Sequence, residues 1–256
     1  EEFKVFRHQK ENRNSISNNG ILCIEEDKDG YIWVGTSFGL NRYNPKKDNF
    51  KSYFINKKRK FLGRNMIWAI KEMSNHQLWI GSSNGISIYN KETDDFIHIL
   101  EKKRITSIYE TKKGVVLIGT TSGLMQLGSA LNETYEFKAI EKTENYFIND
   151  IIENSEGKIL IGTKTKSVLE YDIQTKQLSN YFSEDILKNK NKNARKLLFD
   201  DEGALWIGTY NGLQISKNKQ NIIALYNNDD DEKSINDNFI KTLFKDNKGS
   251  IWVGTY

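Results

Sequence analysis

Short apolar runs recur along the whole chain, and polar segments rich in glycine, asparagine and charged residues separate them. Runs of this kind, bounded by turn residues, are typical of β-strands, because a helix needs a longer pattern of apolar positions three and four residues apart. The first four predicted strands span 21–24, 31–35, 40–43 and 50–54. The turn at 27–30 ends in a glycine, which can adopt the positive φ of a tight hairpin. Residues 15–54 are therefore predicted to form an antiparallel four-stranded meander.

This meander is repeated, and each copy contains a short apolar core followed by glycine. The cores read WVGTSFGL (33–40), LWIGSSNGI (78–86), VLIGTTSGL (116–124), LIGT (160–163), LWIGTYNGL (205–213) and WVGTY (252–256). Their anchor residues lie 38 to 46 positions apart and are Trp33, Trp79, Leu117, Leu160, Trp206 and Trp252. The glycines two residues later are Gly35, Gly81, Gly119, Gly162, Gly208 and Gly254. A repeat of this length built from short strands is typical of a β-propeller.

We therefore predict an all-β fold, a β-propeller of four-stranded antiparallel blades, with about five and a half blades in this chain. The predicted blades span 15–54, 64–99, 104–138, 147–182, 194–226 and, in part, 239–256. The tryptophans and glycines of the cores are expected to pack between adjacent sheets. Residues 3–6 resemble a fourth strand without a blade of its own, so we expect them to close the ring. Because Tyr256 falls inside a repeat, we expect the ring to continue beyond it.

Composition fits a folded domain and shows no catalytic or metal-binding motif. Of the 256 residues, 37% are hydrophobic and 12% aromatic, enough for a buried core. The apolar runs are all shorter than the roughly 18 residues of a membrane span, and any export signal or anchor is expected outside the chain. Cys23 is the single cysteine, so the sequence does not decide the redox compartment. The histidines fall at unrelated repeat positions, and we predict no cofactor, metal or catalytic site.

The repeat also resembles a known family. The linker at 14–19 (NSISNN) recurs at 233–238 (KSINDN), and each precedes an Ile-rich strand, a turn and the Trp-Val-Gly-Thr core. This pattern, most complete at 25–43, resembles the two-component regulator propeller repeat of the periplasmic sensor region of hybrid two-component systems. The resemblance implies a ring of about seven blades, followed outside this chain by a further propeller, a membrane helix and a kinase. The pattern departs from the family at His76, in place of a turn glycine, and at 164–167.

Charge is unevenly distributed over the predicted blades. In a meander, the turns between second and third strands share one face with the links between blades, and we call this the link face. Many cations and several aromatic side chains fall on it, although the net charge is only +4. Cations attract carboxylate or sulfate, and aromatic rings stack on sugar rings. The candidate ligand-binding residues are Phe38, Arg64, Arg104, Lys164, Lys166, Arg195 and Tyr210. The alternative is that these lysines and arginines serve only solubility.

The resemblance and the link face together predict a periplasmic, ligand-sensing propeller without enzymatic activity. Its expected partners are an oligosaccharide, acidic in character, and the rest of the same polypeptide; a homodimer is left open and nucleic acid is not expected. Two alternatives remain. One is a protein-interaction propeller that docks an acidic partner. The other is a propeller glycosidase or lyase, which needs a pair of carboxylates facing one cleft.

Overall fold

A computed structural model describes residues 4–54, 65–131, 134–188, 190–227, 231 and 234–256. The chain divides into two compact units. The first comprises residues 1–121 and 125–138, and the second comprises residues 122–124 and 139–256. The described residues form no helix, and therefore none with the length and apolar character needed to cross a membrane.

The first unit contains three antiparallel sheets of four strands, each a simple meander. The first sheet consists of β1 (Ile21–Glu26), β2 (Ile32–Thr36), β3 (Gly39–Asn44) and β4 (Asn49–Tyr53). The second consists of β5 (Ile67–Glu72), β6 (Leu78–Ser82), β7 (Gly85–Asn90) and β8 (Asp95–Glu101). The third consists of β9 (Ile105–Glu110), β10 (Val116–Thr120), β11 (Gly123–Leu131) and β12 (Thr134–Ala139), and β11 begins in the second unit.

The second unit contains two further meanders and a two-stranded sheet. Its first meander consists of β13 (Ile148–Glu153), β14 (Ile159–Thr163), β15 (Val168–Asp172) and β16 (Gln177–Asn180). Its second consists of β17 (Ala194–Phe199), β18 (Leu205–Thr209), β19 (Leu213–Ser216) and β20 (Ile223–Leu225). The two-stranded sheet consists of β21 (Ile240–Lys245) and β22 (Ile251–Thr255). The prediction of an all-β propeller fold with four-stranded antiparallel blades is confirmed.

Successive sheets within a unit pack closely through their inner strands. The first strand of each sheet contacts the first two strands of the preceding sheet, as β5 does with β1 and β2, and β17 with β13 and β14. The repeat glycines lie at this contact. A Cβ added to Gly81 would lie 2.7 Å from Cγ2 of Ile105, and a Cβ added to Gly208 would lie 2.7 Å from Cγ2 of Ile240. Both contacts are too short for a side chain, so glycine lets the inner strands approach.

The anchor tryptophans are buried to different degrees, which corrects part of the expectation. Trp33 is completely buried and Trp79 is 2% exposed, but Trp206 is half-buried and Trp252 is 56% exposed. Trp33 is covered by Tyr89, whose ring centroid lies 4.8 Å away on β7, the third strand of the next sheet. The sheet next to Trp206 has two strands among the described residues, and no third described strand covers that indole.

The first hairpin of the repeat is fixed by one carboxylate. Asp27 Oδ1 accepts the backbone N–H groups of Asp29 and Tyr31, and its Oδ2 accepts the indole N–H of Trp33 at 2.6 Å. The same arrangement recurs around Asp200 and Asp246, which accept the indole N–H groups of the tryptophans six positions later. The acidic side chain therefore holds the turn and the anchor tryptophan together.

Both departures from the repeat pattern keep the backbone conformation of the repeat. His76 stands where other copies have glycine, and its φ of 66° lies close to the 77° of Gly30. In the sheet of β13–β16, the turn between the second and third strands is one residue longer, and Ser167, with φ of 57°, takes the left-handed position. The predicted departures therefore change the residue and the turn length but not the hairpin.

Residues 4–6 form no strand, which differs from the ring-closing strand expected at 3–6; residue 3 lies outside the described residues. Instead, the Phe6 ring packs edge-on against Tyr43 at 5.0 Å and Phe50 at 5.2 Å. Both partners belong to the outer strands of the first sheet, where apolar contact takes the place of a β-ladder. How the ring closes remains a prediction.

Candidate ligand-binding site

A β-bulge interrupts the pairing of the first two strands in every sheet where both are described. In the first sheet, Ile21 pairs with Thr36 and Cys23 with Gly35, so Leu22 is the extra residue. The corresponding bulge residues are Leu22, Trp68, Thr106, Asn149, Arg195 and Lys241. A bulge re-aims a side chain away from the alternation of the strand, and bulges are common beside functional sites.

In three sheets the bulge residue contacts the first position after the core of its own sheet, whereas Asn149 donates to Asn193 and to the carbonyl of Ala194 instead. Trp68 donates its indole N–H to Ser83 Oγ at 3.1 Å. The guanidinium carbon of Arg195 lies 4.5 Å from the ring centroid of Tyr210, and the ammonium nitrogen of Lys241 lies 4.2 Å from that of Tyr256. The fold therefore pairs the bulge position with the first position after the core in these three copies of the repeat.

In the second unit these pairs join into one cluster on the link face. The rings of Tyr210 and Phe239 are parallel within 7°, with centroids 4.5 Å apart, and Phe239 and Tyr256 are 5.8 Å apart at 26°. The guanidinium carbon of Arg195 also lies 4.7 Å from the Phe239 centroid. We call Tyr210, Phe239 and Tyr256 the aromatic ladder. Two of its rings are well exposed, Tyr210 by 50% and Tyr256 by 83%.

The two cations beside the aromatic ladder, Arg195 and Lys241, form no ion pair among the described residues. The ion pairs of the described part of this unit use other cations, and Arg195 and Lys241 have no carboxylate partner there. The Nε of Arg195 is buried without a hydrogen-bond partner among the described residues. A guanidinium that stacks on rings still presents its donors at the edge of its plane, in the fork that carboxylate and sulfate fit. The site can therefore bind an anion next to an exposed aromatic surface.

The other cations predicted for this unit have different surroundings. The ammonium nitrogen of Lys164 lies 5.8 Å from the ring centroid of Phe147. Lys166 lies near Glu184, whose pKa is held below its usual range by a hydrogen bond from Lys192 and, to a smaller extent, by these two lysine charges. Lys164 thus repeats the pairing of a cation with a ring, whereas Lys166 lies near a carboxylate that pairs with Lys192.

In the first unit, two predicted residues lie beside aromatic rings. The guanidinium carbon of Arg104 is 4.6 Å from the ring centroid of Trp68, and the Phe38 and Phe54 rings are 5.4 Å apart. Arg64 lies outside the described residues. The structure therefore brings Arg195 and Tyr210 into one cluster and places Arg104 and Phe38 in the other unit.

The candidate residues named from the sequence omit three members of the cluster, Phe239, Lys241 and Tyr256. A signal was present, because Arg195 and Lys241 occupy the same place in their copies, directly after the residue that begins the first strand. Phe239 directly precedes that strand in the last copy. What the sequence did not reveal was the bulge, which turns this position from the strand face toward the turn.

Two segments of the chain match a known family of propeller repeats. The model of the two component regulator propeller matches residues 15–38 and 234–256. Both segments run from the linker through the β-bulge and hairpin to the Trp-Val-Gly-Thr core. These two segments of the chain therefore match the two component regulator propeller repeat. Lys241 lies on the bulge of the second matched segment, and Arg195 lies on the equivalent bulge of the preceding sheet.

Solved structures with similar folds include extracellular domains of putative hybrid two component systems. The extracellular domain of BT3049 from B. thetaiotaomicron, assigned to these systems, is 22% identical with a TM-score of 0.75. That of BT4673 from the same organism is 21% identical with a TM-score of 0.58. Each comparison covers 98% of this chain, which spans only 34% and 38% of those domains. At these identities the likeness concerns the fold.

An enzyme has a similar fold as well. Virginiamycin B lyase from Staphylococcus aureus is 10% identical with a TM-score of 0.70, over 92% of this chain and 78% of the lyase. No curated protein has a sequence that matches this chain significantly. The two-component regulator propeller repeats and the fold together therefore identify the architecture, and the function must be argued from the site.

Proposed function

We propose that this chain is an extracytoplasmic, ligand-sensing propeller of a hybrid two-component system, and that it binds an acidic oligosaccharide at the aromatic ladder. One observation carries the proposal: two cations without carboxylate partners among the described residues flank a stack of three exposed or half-exposed rings. Neutral sugar faces would stack on the rings while a uronate or sulfate group meets the guanidinium of Arg195. The repeats and the extracellular domains of similar fold support the sensor role and the location.

No catalytic step is part of this proposal. The chain would bind its ligand and pass the change to a kinase elsewhere in the polypeptide, in the periplasm of the cell. A protein-interaction propeller would use the same cations for an acidic protein surface, and a lyase would consume the oligosaccharide. Product analysis of the oligosaccharide after incubation with the chain separates binding from turnover.

The test is calorimetric titration of the 256-residue chain with three oligosaccharides of equal length, one uronate, one sulfated and one neutral. We expect the acidic ligands to bind and the neutral one to bind at least tenfold more weakly. Binding should weaken with rising salt, because the screening length falls below about 8 Å past physiological ionic strength. Binding of the neutral oligosaccharide alone, without salt dependence, would contradict the acidic ligand but keep the sensor role.

Variants localise the binding. Arg195→Ala should weaken the acidic ligand by about tenfold or more, since a hydrogen bond to a charged group contributes about 1.5–3 kcal/mol. The matched control is Lys217→Ala, which removes the same charge at the opposite end of the same sheet, where Lys217 pairs with Glu202 at 3.0 Å. Equal affinities for the two variants would exclude the aromatic ladder as the binding site.

A further inference from the structure

A cleft in the first unit shares no residue with the aromatic ladder, and one of its lining residues, Phe54, packs against Phe38. It has a volume of about 630 Å³ and lies between β4 of the first sheet and β7 and β8 of the second. Its wall includes Phe54 and Phe96, which contribute aromatic surface. The polar and charged lining residues considered for ligand binding are Asn65, Ser87, Asp94, His98 and Glu101. The volume suits a molecule with one or two six-membered rings.

Asn65 is a buried lining residue whose side-chain oxygen has no hydrogen-bond partner among the described residues. The residue is 6% exposed, and its side-chain Oδ1 has no partner among the described residues. Its backbone carbonyl already accepts the N–H of Gly39 at 2.9 Å. A buried amide oxygen without a donor costs free energy. Asn65 therefore brings an unpaired amide oxygen to the wall of the cleft.

A second polar position lies across the strand pair of β7 and β8. Ser87 is 3% exposed, and its Oγ is 2.8 Å from Nδ1 of His98, its cross-strand neighbour. His98 itself is exposed, so its second ring nitrogen can still bond to a ligand. The cleft thus presents an amide oxygen and an imidazole, both suited to hydroxyl groups.

The charged residues that line the cleft are mostly acidic, in contrast to the cations beside the aromatic ladder. Burial alone would raise the pKa of Asp94, but hydrogen bonds from Lys51, Tyr89 and Tyr53 outweigh it and bring the pKa to about 2. Asp94 is therefore ionised, and its pairing with Lys51 neutralises that lysine. The carboxylate of Glu101 then stands at the same cleft without a matching cation among the described lining residues. An anion would be repelled and a cation attracted.

We propose that this cleft binds a small polyhydroxy ammonium ion of the kind that an amino sugar presents. Hydroxyl groups would donate to Asn65 Oδ1 and bond to His98, and the ammonium group would meet the carboxylate of Glu101. The ring would lie against the aromatic surface of Phe54 or Phe96. This binding site is independent of the aromatic ladder and does not rest on the proposed sensor function.

The test is titration of the chain with glucosamine, N-acetylglucosamine, glucose and glucuronate, followed by calorimetry or by chemical shifts. Glucosamine is expected to bind at least tenfold more tightly than N-acetylglucosamine and glucose, and glucuronate more weakly still. Equal binding of glucose and glucosamine, or no glucosamine binding, would overturn the proposal.

Two variants and a matched control assign the binding to the cleft. Asn65→Ala should weaken glucosamine at least tenfold, and its denaturation midpoint is measured alongside, because truncation of this buried side chain also removes packing contacts. Glu101→Gln should remove the preference for glucosamine over glucose. The control is Glu92→Gln, an exposed carboxylate in the β7–β8 turn that does not line the cleft. Unchanged glucosamine affinity in Glu101→Gln would overturn the proposal even if Asn65→Ala fails to fold.

Discussion

Trp33 provides the strongest quantitative test of the repeat as the source of stability. Its indole is completely buried, donates to Asp27 and packs on Tyr53 and Tyr89 with ring centroids 5.7 and 4.8 Å away. Truncation of a buried aromatic residue to alanine costs about 3–5 kcal/mol. Because Trp33→Ala also strips two aromatic contacts and leaves Asp27 without its indole partner, we expect the upper half of that range.

The matched control is Trp252→Ala, which changes the same residue at the same repeat position. Trp252 is 56% exposed, and its indole N–H donates to Asp246 at 2.9 Å. This substitution removes one hydrogen bond and less than half of the burial that Trp33→Ala removes, so we expect a cost of about 1–2 kcal/mol. Trp33→Phe should lie between the two alanine variants, because it keeps much of the ring contact and loses the indole N–H.

Urea denaturation followed by far-UV circular dichroism measures these differences, with the slope of each transition checked against the unsubstituted protein. The free energies of unfolding should rank Trp33→Ala lowest, then Trp33→Phe, then Trp252→Ala. Equal losses for Trp33→Ala and Trp252→Ala would show that burial between sheets does not set the contribution of the anchor residue. That result would refute the reasoning for the whole tryptophan series.

Three further perturbations test the backbone and the charges. Gly81→Ala should lower the free energy of unfolding by about 1–3 kcal/mol, because its Cβ would lie 2.7 Å from the side chain of Ile105. The control, Gly128→Ala, should change that free energy little, because the nearest neighbour of its Cβ would be a flexible lysine at 3.3 Å. Thermal denaturation compares the two variants. Asp94 has a lowered pKa, so its contribution to the free energy of unfolding should be complete above pH 4 and should fall as the pH drops toward about 2. In Asp94→Asn, the loss of stability between these pH values should be smaller by that contribution. His76→Gly should raise the free energy of unfolding by about 0.5–1 kcal/mol, because the φ of 66° at this position favours glycine, and His76→Ala should not raise it. Equal urea midpoints for the two variants would contradict this prediction.

The strand order within each sheet follows from the sequence because the repeat is local. Each hairpin depends on a turn residue near its own strands, as Asp27 does for Trp33, and the two-residue periodicity places the apolar side chains on the sheet faces. Even His76 follows the rule, since neighbouring turn contacts hold it in a left-handed conformation that glycine adopts elsewhere. Local signals of this kind survive substitutions at single positions.

The burial of the anchors did not follow from the sequence in the same way. Burial of Trp33 depends on Tyr89, which belongs to the next sheet and to the next copy of the repeat. Trp206 shares the LWIG core of Trp79 but faces a sheet with two described strands, and its indole is half-buried. The repeat specifies which residue points outward from its sheet, and the number of strands in the next sheet decides how much of that residue is covered.

The candidate site depends on both local and non-local features. The β-bulge is local to each copy, whereas the ring contact between Tyr210 and Phe239 joins two copies. The bulge in the first strand is part of the repeat, yet only in the second unit does it carry cations, at Arg195 and Lys241. The turn of one copy, at Tyr210, meets Phe239, which begins the next copy. A site of this kind requires a cation at the bulge and rings at two other positions, all within neighbouring copies. Variation among copies of a repeat is therefore where function should be sought, since the residues common to all copies are already used to pack the sheets.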